Sequence, residues 1–170
     1  MAKEPTSRFL DLCLTLAGHA LEVVNRGDRT VAEECVRSGG AFAKFKEWMH
    51  AQGSSVDWNA NKPLPESKTI ARVTYSGEPG WVSEVDARIV GEVVLELGGG
   101  RKEKTDTIDH SVGIEVCTMV GLAVAPGDEI FRIHAKSDAD AAQVQSKLQA
   151  SIRVSPTPVA QRHPVIKSVH

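Results

Sequence analysis

The chain has 170 residues, enough for one ordinary domain or two small ones, and its 41% apolar and 25% charged residues are typical of a globular protein. A formal net charge of -2 gives no overall field that would attract nucleic acid or an anionic membrane surface. Its three cysteines, Cys13, Cys35 and Cys117, are too few and too widely spaced for a disulfide framework, which favours a reducing, cytoplasmic setting. No apolar stretch is long enough to span a bilayer, and the first residues do not lead into a secretion signal.

The first third of the chain is predicted to be helical. Apolar residues crowd positions 9–24, and Thr6 or Ser7 stands before them as a cap. This pattern predicts a long, largely buried helix that ends at Gly27. The helix is apolar on too many faces for an isolated surface helix, which indicates a partner outside the sequence.

Two shorter helices are predicted next. The second helix is expected to start at Asp28-Arg29-Thr30, where Thr30 and Glu33 have the spacing of a capping box, and to stop at Ser38-Gly39-Gly40. The third helix is expected to end near Gly53. It carries a stripe of large side chains that we interpret as core packing rather than as a cofactor contact, namely Phe42, Phe45, Trp48 and Met49.

The remainder of the chain alternates short strands with helices. Residues 54–67 are rich in Asn, Pro and Ser and are predicted to be a linker. Strands are then predicted over residues 68–75, 81–85, 112–116, 121–124, 129–135 and 152–154, and helices over 87–97 and 138–148. Asp86 is the expected cap of the first of these helices, and residues 125–128 have the Pro and Gly placement of a β-turn.

The predicted fold class is therefore α+β. An N-terminal helical segment with its linker, residues 1–66, precedes a small α+β domain of mainly antiparallel strands, residues 67–155. A proline-rich tail follows over residues 156–170.

The glycine-rich stretch after the predicted 87–97 helix is the first candidate for a binding site. Gly98, Gly99 and Gly100 with the basic Arg101 could cradle an anion. However, phosphate loops usually precede a helix, whereas these glycines follow one. We therefore favour a C-terminal helix cap that is also a point of close packing.

Titratable residues elsewhere do not form a recognisable catalytic set. Asp106 and Asp109 could suggest acid–base chemistry or a metal site, but carboxylates that accept from backbone amides, or pair with Arg101 or Lys104, are the commoner outcome. His134 is expected to be a hydrogen-bonded histidine of the core or of a sheet edge. We predict no catalytic, cofactor-binding or metal-binding residue, and no cofactor.

Several spaced motifs together resemble the C-terminal domain of the pyrimidine-nucleoside phosphorylases, a family that includes the thymidine phosphorylases. They are Gly-Trp-Val-Ser-Glu-Val-Asp-Ala-Arg at 80–88, Leu-Gly-Gly-Gly-Arg at 97–101, Lys-Thr-Asp-Thr-Ile-Asp at 104–109 and Val-Gly at 112–113. Val-Ala-Pro-Gly-Asp-Glu-Ile at 124–130 and Ile-His-Ala at 133–135 fit the hairpin that follows. The helices before residue 54 are similar to a segment of the family's large α/β domain. Leu122 departs from the pattern, since Asp commonly follows Gly121 in the family.

The resemblance implies phosphorolysis, in which inorganic phosphate displaces the base of a pyrimidine nucleoside and leaves a pentose 1-phosphate. The family's phosphate segment, Lys-x-Ser-Thr-Gly-Gly, and its base-binding Arg and Lys have no counterpart in this sequence. We therefore expect the chain alone to be inactive. The positions that match the family motif are expected to be structural: Gly98, Gly99, Gly100, Arg101, Lys104, Asp106, Asp109 and Gly113.

Three interpretations remain open. The chain is the C-terminal portion of a pyrimidine-nucleoside phosphorylase, or it is a non-catalytic assembly module that completes an enzyme with a separate N-terminal polypeptide. A third, less favoured interpretation is an unrelated domain that binds an anion at residues 98–104. The expected partner is the N-terminal half or a second copy of the chain. Phosphate and a pyrimidine nucleoside would bind only to the complete enzyme, and neither nucleic acid nor a membrane is expected to bind.

Overall fold

The computed structural model describes residues 5–60 and 64–161, which fall into two compact units that divide at residue 63. The helices are α1 (Pro5–Val23), α2 (Arg29–Arg37), α3 (Gly40–Ala51), α4 (Ala87–Leu97) and α5 (Asp138–Ala150). The strands are β1 (Thr69–Thr74), β2 (Gly80–Val85), β3 (Gly113–Val116), β4 (Ala123–Val124), β5 (Glu129–Ala135) and β6 (Ile152–Ser155). The predicted α+β class is confirmed. Residues 162–170 of the predicted tail lie outside the described residues.

α1 ends at Val23, before the predicted Gly27, and among its residues 8–23 only Leu14 and Gly18 are buried, so the prediction of a largely buried helix is wrong. The starts of the first two helices also differ from the prediction. α1 begins at Pro5, a residue well suited to a first helical position, so the proposed caps Thr6 and Ser7 lie inside its first turn. The capping box at Thr30 is also wrong. Asp28 has the extended backbone of a cap, and its carboxylate accepts a hydrogen bond from the Thr30 backbone N–H.

The aromatic stripe of α3 is not core. No residue of this helix is buried, and the side chains of Phe42 and Trp48 are 48% and 56% exposed. Phe45 does pack, with its ring centroid 5.0 Å from that of Trp58 in an edge-to-face arrangement. The prediction of core packing is therefore wrong, because none of the four stripe residues is buried in the described chain: Phe42 and Trp48 are exposed, and Phe45 and Met49 are half-buried.

The second unit contains two three-stranded antiparallel sheets. Their strand orders are β1-β5-β3 and β4-β2-β6. β5 is the central strand of the first sheet, and apolar side chains of β5, with Val73 of β1 and Val82 of β2, face a common core. Val73 is buried while Ile70 of the same strand is 58% exposed, as expected of positions on opposite faces.

The helices α4 and α5 cover this core. Val93 and Leu97 of α4 and Ala141, Val144 and Leu148 of α5 are the buried positions of the two helices. Asp86 caps α4 as predicted, since its carboxylate accepts hydrogen bonds from the backbone N–H groups of the first turn. The predicted turn before β5 is also confirmed, with Gly127 at φ 93°.

Candidate functional site

The glycine stretch ends α4 in the way that the sequence predicted. Gly98 is the C-cap with a left-handed backbone, φ 93°, and its N–H donates to the carbonyls of the last helical turn. A β-carbon on Gly99 would lie 2.8 Å from Val94 Cγ1, and one on Gly100 would lie 2.5 Å from Leu95 Cδ2. Glycine at these two positions therefore allows the backbone after α4 to pass close to the side chains of Val94 and Leu95.

The two aspartates of the loop are hydrogen-bonded within it. Asp106 accepts from the backbone N–H groups of Lys102 and Glu103 at 3.0 and 2.9 Å. The backbone N–H of Asp109 donates to the Gly98 carbonyl at 2.9 Å, which closes the loop at its base. The predicted backbone-amide interaction is therefore present for Asp106.

The carboxylate of Asp109 has two further partners. Its Oδ1 accepts from the hydroxyl of Ser111 at 2.6 Å and from the Ser111 backbone N–H at 2.9 Å, and its Oδ2 lies 3.5 Å from Lys136 Nζ. The Ser111 donors, and secondarily the Lys136 ammonium, hold the pKa of Asp109 below its ordinary value. Lys136 follows β5 directly, a pairing that the sequence reasoning missed.

The basic side chains of the loop are not drawn together. Arg101 and Lys104 are both exposed, and neither is paired with Asp106 or Asp109 among the described contacts. His110 is exposed as well. Gly113 begins β3, where it pairs with His134. The eight motif positions thus form a helix exit, a loop closed at its base and a strand start, with no convergent set of donors around a ligand.

A second polar cluster lies on the outer face of the β1-β5-β3 sheet. Ser67 Oγ lies 3.2 Å from Nδ1 of His134, and Nε2 of the same imidazole lies 3.8 Å from Glu115 Oε2. Glu115 also accepts from Arg132 Nη1 at 2.6 Å, and Arg132 donates from Nε to Glu129 at 2.9 Å. His134 is hydrogen-bonded as predicted, but it lies on the central strand and not in the core or at an edge.

The order serine, histidine, carboxylate does not make this cluster a nucleophilic site. The distance from His134 Nε2 to Glu115 is too long for the hydrogen bond that orients a catalytic histidine. The carboxylate is instead tied to Arg132. The cluster is best understood as cross-strand pairing on a solvated sheet face. The pairing of Glu115 with Arg132 depends on the strand register, so the cluster has no local signal in the sequence.

Cys117 is the remaining candidate nucleophile. Its thiol pKa is raised, first by burial and then by the nearby carboxylates of Glu129 and Glu115. A raised pKa reduces the thiolate fraction, which is the opposite of what a reactive cysteine requires.

Residues 5–60 and 64–161 hold no group of three or more His, Cys, Asp or Glu side chains suited to a metal ion. None of the helices in that part of the chain combines the length and apolar character that crossing a bilayer requires. An open depression in the first unit is lined by residues between His50 and Asp57, and its exposed lining surface is mainly apolar.

Comparison with known proteins gives the family. Residues 81–155 match the family described as pyrimidine nucleoside phosphorylase C-terminal domain. A pyrimidine-nucleoside phosphorylase of Geobacillus stearothermophilus is 35% identical over 158 residues, which cover 89% of this chain and 36% of the relative. One from Staphylococcus haemolyticus is 32% identical over 151 residues, covering 85% of this chain and 34% of the relative.

The matched region lies within the second unit described above and leaves out β1. It begins in β2 and ends with β6, so it includes α4, the glycine-rich loop and β5. The relatives extend the similarity into the helical unit, since their alignments cover most of this chain. The chain spans about a third of the length of these curated relatives. It therefore carries the C-terminal domain of the pyrimidine-nucleoside phosphorylase family.

Proposed function

We propose that the chain is the C-terminal portion of a pyrimidine-nucleoside phosphorylase of the thymidine type. The proposed reaction of the complete protein is phosphorolysis of a pyrimidine nucleoside to free base and pentose 1-phosphate. The observation that carries the proposal is the alignment with two relatives of that name along most of this chain, over about a third of their own length.

By itself the chain is proposed to be inactive. Phosphorolysis needs a preorganised cradle for phosphate and donors that stabilise charge on the departing base. The segment Lys-x-Ser-Thr-Gly-Gly, which the family resemblance implies for the cradle, does not occur in the sequence. In addition, the glycine loop described above exposes Arg101 and Lys104 to solvent without a convergent site.

The direct test is to incubate the purified chain with phosphate and either thymidine or uridine. Free base is followed by chromatography, with a reaction lacking phosphate as the control. We expect no release above that control. Phosphate-dependent release of base by the chain alone would overturn the proposal that its catalytic groups lie elsewhere.

A second candidate function is that of an assembly module, which completes an enzyme with a separate N-terminal polypeptide. The exposed apolar residues of α1 favour it, since Phe9 and Val23 are 70% and 82% exposed. The test is to add the part of the Geobacillus relative that this chain does not match. Base release that requires both polypeptides would support the module.

The proposed location is the cytoplasm. Cys13, Cys35 and Cys117 are all free thiols in the structure, which supports a reducing compartment. Fractionation of cells that express the chain, followed by immunodetection, would test this proposal.

A further inference from the structure

The chain that follows β6 passes from one side of β2 to the other. β6 ends at Ser155, which pairs with Trp81 of β2. Gln161 lies beside Gly121, and Gly121 donates to the Val82 carbonyl on the side of β2 that carries β4. Strands two places apart in a sheet are about 10 Å apart, which residues 156–161 can span at about 3.3 Å per residue. We call residues 156–161 the strap.

Gly121 leaves room for the strap. Its φ is 88°, and a β-carbon there would lie 2.9 Å from the Val159 carbonyl oxygen and 3.2 Å from the Gln161 backbone nitrogen. It would also lie 2.5 Å from Gln161 Cγ. Two of these three atoms are backbone, so a change of rotamer in the strap would not remove the overlap. The strap therefore lies directly against the Gly121 backbone, and this contact requires that residue 121 has no side chain.

The strap is held by packing rather than by backbone hydrogen bonds. Val159 is half-buried, whereas its neighbours Pro158 and Ala160 are exposed. Within the described residues, no backbone–backbone hydrogen bond joins residues 156–161 to the sheet. The Thr157 backbone N–H instead donates to the hydroxyl of Ser155 at 3.2 Å, inside the turn that starts the strap. A segment held in this way opens at a lower free energy than the paired strands beside it.

The segment that the strap contacts connects the two sheets. Residues 117–122 run from β3 of the first sheet to β4 of the second, and Gly121 lies near the end of this connection. We propose that the strap is a conformational device that fixes the 117–122 connection while it lies against Gly121. It detaches from Gly121 without separation of the paired strands, and the connection becomes mobile when it does so. This role is independent of the proposed reaction.

The first experiment compares Gly121→Ala with Gly127→Ala in the full chain. Gly127 is the matched control, because its φ is 93° and a β-carbon there meets no atom within 4 Å. Both variants carry alanine in a left-handed backbone, but only Gly121→Ala meets the strap. NMR order parameters of the strap amides should stay near the rigid value of about 0.85 in Gly127→Ala and fall below about 0.6 in Gly121→Ala.

A second pair of variants leaves both glycines unchanged. Val159→Asp places a carboxylate at the half-buried position of the strap and should release it, whereas Ala160→Asp makes the same change at the exposed neighbour and should not. Cys117, at the start of the 117–122 connection, reports the effect on that connection. Its alkylation, measured relative to the exposed Cys35, should be at least about threefold faster in Val159→Asp than in Ala160→Asp.

Amide hydrogen exchange of β2 and β6 shows whether the strands stay paired. A mobile strap, faster labelling of Cys117 and unchanged protection of both strands would support the proposal. Equal order parameters in Gly121→Ala and Gly127→Ala, or a Cys117 rate that is the same in Val159→Asp and Ala160→Asp, would overturn it. So would a loss of strand protection whenever the strap is mobile. If Gly121→Ala fails to fold, Val159→Asp carries the same test, because Val159 lies outside the core cluster.

Discussion

Gly80 provides a sharp test of how the β4-β2-β6 sheet is packed. It is a buried residue of β2, and a β-carbon there would lie 2.6 Å from Val154 Cγ1 and even nearer to the Ser155 carbonyl oxygen of β6. The nearest obstacle is backbone, so β6 itself must move. Gly113 of β3 is the matched control, because a β-carbon there meets no atom within 4 Å.

The two substitutions should therefore differ in sign. Overpacking of this kind costs about 1–3 kcal/mol, so Gly80→Ala should lower the free energy of unfolding by about 2 kcal/mol. For a unit of this size that corresponds to a fall in melting temperature of roughly 10 °C. Gly113→Ala should be neutral or stabilising by up to about 1 kcal/mol, since alanine restricts the unfolded chain.

The assay is thermal unfolding followed by circular dichroism, with amide hydrogen exchange to locate the change. We expect the Gly80→Ala variant to exchange faster in β6 while the amides of β1 and β5 keep their protection. Equal melting temperatures for Gly80→Ala and Gly113→Ala would refute the packing argument. So would a loss of protection spread evenly over both sheets.

Three further predictions concern the loop after α4 and the thiols. Gly98→Ala should destabilise the fold by about 1–2 kcal/mol, because Gly98 has φ 93°, and Gly98→Asn should destabilise it less. Urea unfolding of both variants measures the difference, and equal losses of stability would contradict the prediction. Ser111→Ala should raise the pKa of Asp109 toward its ordinary value, which carbon NMR of the carboxylate detects. Because the folded pKa of Asp109 is lowered, the contribution of its carboxylate to the free energy of unfolding is complete above the unfolded pKa of about 3.9. That contribution is lost as the pH falls through the folded pKa. A stability loss in Ser111→Ala that persists at the lowest pH would be inconsistent with this pH dependence. Cys117 should react with iodoacetamide more slowly than the exposed Cys35 at pH 8, because burial raises the pKa of the Cys117 thiol. Mass spectrometry measures both rates, and comparable rates would argue against a partly buried Cys117 thiol.

Elements whose signals are local could be predicted from the sequence. α4 is an example, since Asp86 supplies a carboxylate at its start and Gly98 a left-handed residue at its end. The turn at Gly127 is another. At the start of α2, however, two local signals compete. Asp28 and Thr30 are both acceptable caps by residue type, and only the backbone conformation shows that Asp28 is the cap.

Contacts between distant strands and the exposure of the apolar α3 residues could not be predicted. The pair Glu115 and Arg132 forms because β3 and β5 are in register, and nothing near either residue in the sequence signals it. The error at Phe42 and Trp48 has a different cause. An apolar helix face predicts burial, but the sequence does not say whether the covering layer belongs to the same chain.

The hydrogen bond from the Asp109 N–H to the Gly98 carbonyl has a practical consequence for engineering. This hydrogen bond joins the two ends of the loop, and the exposed residues 101–104 lie between those ends. A change in the length of this tip therefore leaves the connection between α4 and β3 in place. Lengthening such a loop costs little, about 0.6 kcal/mol for each doubling. This tip is therefore a suitable place to insert an affinity tag or a fluorophore-binding peptide, which would report on the second unit without altering its core.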